Sequence, residues 1–83
     1  MYTEMTELQK TQSIKILHHA LLRAIENDEN DTEALDNIVI MWEQMMQNFG
    51  VGWVDIKTIY EKVYEKTDHA EIKSVIYSQL CQI

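Results

Sequence analysis

The stretch "NDTEALDNIVIMWEQMMQNFG", residues 30–50, decides how the rest of the chain is read. At about 100° per residue, Met41, Ala34, Met45, Ile38, Phe49, Trp42, Leu35, Met46 and Val39 fill one continuous arc of about 160°. The opposite side carries Asp36, Asn37, Glu43, Gln44, Gln47 and Asn48, interrupted only by Ile40. An ordinary surface helix shows an apolar arc nearer 100°. This helix is therefore expected to be the central one of a core, or to face two partners at once.

Its ends are marked locally. Asn30 or Asp31 can accept from the free amides of the first turn, and with Asn30 as the cap Glu33 completes a capping box. Gly50 is a natural left-handed stop, which places Val51 to pack on Met46.

Three further helices follow from the same periodicity. Within residues 5–26, Ile14, Leu17, Leu21, Ala24 and Ile25 form a stripe that Met5 and Leu8 do not continue. Either that helix starts near Thr11 or Ser13, or its first turns serve a second surface. Asp55 is read as the N-cap of a third helix with a Val54–Ile59 staple and an apolar face of Ile56, Ile59, Tyr60, Val63 and Tyr64. Asp68 is read as the N-cap of a fourth, with Glu71 closing a capping box and Ile72, Val75, Ile76, Leu80 and Ile83 as its stripe. No period of 20–50 residues is visible. The expected fold is all-α: one domain, residues 1–83, a small four-helix, bundle-like arrangement whose short connections favour antiparallel neighbours.

Charge is distributed unevenly. Fourteen acids against seven Lys and Arg give a net charge of −7. Residues 26–56 hold eight of those acids and no Lys or Arg, so the excess is concentrated in one segment. Capping and the helix dipole give Asp31, Glu33 and Asp36 a local task, since acids in a first turn stabilise by about 0.3–1 kcal/mol each. Glu26, Asp28 and Glu29 are left without one. An acidic field repels phosphates and anionic lipid and favours basic surfaces.

Motifs for chemistry fail on inspection. A calcium loop begun at Asp28 would place Glu33 where glycine is required and Val39 where the bidentate glutamate belongs. "GVGWVD" lacks the third glycine of a dinucleotide loop and follows an amphipathic helix instead of a strand. His18 and His19 point about 100° apart on a helix and cannot clasp one metal. A recognition helix opening with Asp68 and Glu71 is wrong for DNA. Cys81, the single cysteine, reads as a small apolar filler and suits a reducing compartment. The N-terminal stretch has no signal-peptide pattern and no apolar run of membrane-spanning length exists, so a cytoplasmic location is expected.

These readings favour a non-catalytic protein with no cofactor and no metal. It would bind and inhibit or regulate a partner protein, with Glu26, Asp28, Glu29, Asp31, Glu33 and Asp36 meeting a basic surface such as that of a nucleic-acid-binding protein. Met41, Trp42, Met45 and Phe49, or Met5 and Leu8, would supply an apolar anchor or a homodimer interface. The chain would bind neither nucleic acid nor membrane directly. Its short, acidic composition is in the style of accessory or inhibitor proteins of mobile genetic elements. The alternative is a structural subunit or assembly chaperone acting through self-association.

Overall fold

A computed structural model describes residues 5–27 and 31–82. Among these, four helices are present: α1 (Glu7–Glu26), α2 (Thr32–Asn48), α3 (Trp53–Lys66) and α4 (Ala70–Leu80). The fold is a small all-α, bundle-like domain. Leu17, Leu21 and Ala24 of α1, Leu35, Val39 and Trp42 of α2, Ile56, Ile59, Tyr60 and Val63 of α3, and Ile72, Val75 and Ile76 of α4 meet in one core. Each element thus buries residues of the stripe that its 3.6-residue periodicity marks out, although Met41, Met45 and Phe49 of the α2 arc stay exposed and Ile83 lies outside the described residues.

The packing order differs from the chain order. Helix α1 packs on α2 and on α3, and α4 packs on both α2 and α3. Consecutive helices α2 and α3 therefore sit across a diagonal, a correction to the expectation that short connections make neighbours. They approach each other less closely, and long side chains bridge them. The Trp42 and Tyr60 rings lie 5.4 Å apart, centre to centre, and the Tyr60 hydroxyl donates to Glu43 Oε1 at 2.9 Å.

The α2 C-terminus is built as the local residues demand. Gly50 has φ 81°, a left-handed conformation that a Cβ would strain. Its amide donates to the Gln47 carbonyl at 2.9 Å and the Val51 amide to the Met46 carbonyl at 3.0 Å, which are the two bonds of a Schellman motif.

The helix starts are less obedient. Helix α1 opens at Thr6, whose hydroxyl accepts from the Gln9 amide while the Gln9 side chain accepts from the Thr6 amide. Thr11 and Ser13 lie inside the helix: Thr11 donates back to the Glu7 carbonyl, and Ser13 is buried. Helix α2 is capped by Asp31, which accepts from the Ala34 amide at 2.8 Å, so Glu33 is not the reciprocal partner of a box; Asn30 lies outside the described residues. Gly52 caps α3 without a side-chain bond, and Val54 is exposed, so there is no Val54–Ile59 staple. His69 is the cap position of α4. Asp68 is exposed, and the residue that shapes the turn is buried Thr67, whose hydroxyl accepts the His69 amide at 3.2 Å.

Candidate interaction surfaces

The acidic segment spans the end of α1 and the start of α2. Glu26 is the last residue of α1 and is exposed. A carboxylate there faces the negative end of the helix dipole and destabilises slightly, so its position is not explained by the helix. Asp28 and Glu29 lie outside the described residues. Asp31 and Glu33 are exposed at the start of α2, and among the described residues neither they nor Glu26 form an ion pair.

Asp36 requires a correction. It is half-buried and accepts from the Gln79 side-chain amide at 3.0 Å, linking α2 to α4, with Gln79 itself buried. Its carboxylate is occupied in holding the fold, since a buried amide left unpaired costs about 1–3 kcal/mol.

The broad apolar arc of α2 divides between two tasks. Trp42, read as part of an interface, is core at 5 % exposure, packed against Tyr60. Met41, Met45 and Phe49 remain exposed, at 69 %, 43 % and 68 %. They recur every four residues and so lie along one side of α2. Phe49 lines a groove of about 350 Å³ together with Met46, Val51, Met5, Ser13 and Ile16, which runs between the start of α1 and the end of α2. Met5 is packed against the core, whereas Leu8 is exposed. Ile16, also exposed, was not singled out by sequence reasoning. It lies off the main stripe of α1 and lines this groove on one side and a second groove on the other.

A second groove, of about 630 Å³, crosses α1 and the end of α3. It is lined by the apolar Ile16 and Leu22 and by Lys15, His18, His19 and Lys66. His18 Nε2 is shielded from solvent and has no hydrogen-bond partner among the described residues. Burial and then the Lys66 and His69 charges hold the His18 imidazole below its ordinary value of 6.5, against a weaker opposing pull from Asp68. Adjacency of His18 and His19 was visible in the sequence; the approach of Lys66 was not, because it depends on how α3 lies along α1.

Among the described residues no three His, Cys, Asp or Glu side chains come together to hold a metal ion. Cys81 is exposed and does not fill the core. Among the same residues no helix is long and apolar enough to cross a membrane. No protein-family model, no curated protein and no solved structure matches the chain.

Proposed function

We propose that this chain is a non-catalytic binding protein that engages a basic surface on a partner protein through its acidic segment. The observation that carries this reading is the state of Glu26, Asp31 and Glu33: all exposed, all without a cationic partner among the described residues, with Glu26 placed against the dipole of its own helix. Glu26, kept at a small stability cost, is most simply understood as charge meant for another molecule, whereas Asp31 and Glu33 also serve the start of their own helix and stand exposed there. A basic surface of that kind is commonly a nucleic-acid site, so covering it would inhibit or regulate the partner. Small inhibitors of this type fit the accessory proteins of mobile elements.

The exposed row of Met41, Met45 and Phe49 supports a second role in the same scheme: a homodimer interface or an apolar anchor beside the charged contact. If self-association were the whole function, the chain would be a structural subunit, and charge in the acidic segment would be dispensable.

The test compares affinity capture by the wild type and by a triple variant, Glu26→Gln, Asp28→Asn and Glu29→Gln, followed by association rates at low and high salt with the captured protein. A basic protein captured by the wild type and associating several-fold more slowly with the variant, with a flatter salt dependence, is the expected result. Identical capture and identical salt slopes would overturn the reading.

A further inference from the structure

We propose that the groove over α1 and the end of α3 binds an anionic amphiphile, a small ligand with one negatively charged head on an aliphatic chain. The groove combines two features that such a ligand needs. Ile16 and Leu22 offer it apolar surface, and Lys15, His18, His19 and Lys66 line the same groove with basic groups. Its volume, about 630 Å³, lies in the range of small-ligand sites.

In a chain of net charge −7 this concentration of basic groups stands out. Three of them, Lys15, His18 and His19, come from one helix, and the fold brings Lys66 to them from another. Neither Lys15 nor Lys66 forms an ion pair among the described residues. A ligand anion would provide the missing countercharge, and its chain would cover Ile16, which otherwise stands 60 % exposed.

The His18 ring supports the same assignment from a different direction. Its Nε2 is the one buried side-chain nitrogen or oxygen without a hydrogen-bond partner among the described residues. Buried polar atoms in native proteins are nearly always paired, and an orphan calls for a missing partner. Once protonated, the His18 ring adds a positive charge beside the groove, where an anionic head would be attracted to it. The charged and titratable groups around it are Lys15 and His19 on α1, Lys66 on α3, and Asp68 and His69 in the connection to α4. Cations dominate this set, so a bound anion raises the proton affinity of His18, and acidification in turn tightens binding. The groove is separate from the acidic segment, and the inference does not depend on the partner proposed above.

The experiment titrates the intact protein with octanesulfonate, whose head stays charged across the working pH range, and follows imidazole and methyl resonances by NMR. Octyltrimethylammonium, with the same chain and the opposite charge, is the control. Saturable shifts at His18, Ile16 and Leu22 with the sulfonate and none with the ammonium are expected. Binding should tighten about threefold or more from about pH 8 to about pH 5.5, across the ordinary imidazole range. Lys66→Gln and Lys15→Gln, at exposed positions that leave the core intact, should each weaken it about tenfold, as loss of a charge-assisted contact does. Equal shifts with both amphiphiles, shifts centred on Met45 and Phe49, or affinity unchanged in both lysine variants would overturn the proposal. So would equally tight binding of a polyglutamate peptide, which carries the charge without the chain.

Discussion

Met5 and Asp55, fifty residues apart, are joined by a hydrogen bond: the Met5 amide donates to Asp55 Oδ2 at 3.1 Å. The other oxygen of the same carboxylate lies 3.5 Å from Lys10 Nζ. Asp55 is buried at the third position of α3, so a residue with the credentials of a helix cap serves to hold the start of α1 against α3. It ties the start of α1 to the start of α3, two helices that also pack through the core.

Asp55→Ala should therefore destabilise the fold by about 1–3 kcal/mol, the cost of leaving a buried partner unmatched. Asp68→Ala, at an exposed position that caps nothing, should stay within about 0.5 kcal/mol. Urea unfolding of the two variants checks the pair. Equal losses would mean that Asp68, and not the Thr67 turn, starts α4.

Tyr60 is fully buried, and burial together with its bond to Glu43 pushes its hydroxyl far above the ordinary value of 10.0. The folded state keeps the proton that the unfolded state releases. Stability from this group is thus complete below about pH 10 and declines above it, by about 1.4 kcal/mol per pH unit. Tyr60→Phe should lower stability at neutral pH by about 1–3 kcal/mol, the range of a hydrogen bond to a charged acceptor. It should also flatten the alkaline decline. Denaturant midpoints measured between neutral and strongly alkaline pH would reveal both, and an unchanged alkaline slope would contradict the assignment.

The carboxylates of the acidic segment should separate by stability. Asp36→Ala removes the acceptor of the buried Gln79 amide and should cost about 1–3 kcal/mol. Asp31→Ala removes a helix cap and should cost about 0.5–2 kcal/mol. Glu26→Gln should be neutral or stabilising by a few tenths, because it relieves the dipole at the end of α1. Thermal melts at one pH suffice, and a loss at Glu26 as large as that at Asp36 would remove the distinction between structural and free acids.

Gly50→Ala should cost about 1–2 kcal/mol, the penalty for a Cβ in the left-handed region. Circular dichroism during urea unfolding reads it directly. No loss would mean that the α2–α3 turn can be rebuilt without a positive φ.

Self-association should depend on the exposed row of α2. Met45→Lys combined with Phe49→Glu should yield a monomer by sedimentation equilibrium at micromolar concentrations while the helical signal is retained, since both side chains stand outside the core. The wild type should sediment as a dimer, and a 9.8 kDa monomer across the whole range would dismiss the interface.

The sequence by itself determined the helices and the faces they bury. Leu17, Leu21, Leu35, Val39, Ile59, Val63, Ile72 and Ile76 are legible because burial follows the 3.6-residue period. The α2 stop was legible too, because Gly50, Met46 and Val51 interact within one turn of chain. Helix starts were less so: several neighbouring residues could cap, and the choice depends on which carboxylate a distant element claims. Asp55, read as a cap, was claimed by Met5 and Lys10, and Asp36, read as a first-turn acid facing a partner, was claimed by Gln79. The division of the α2 arc into buried Trp42 and exposed Met41, Met45 and Phe49 was likewise tertiary. One helix periodicity marks an apolar side, but only the placement of α1, α4 and the diagonal α3 decides how much of that side is covered.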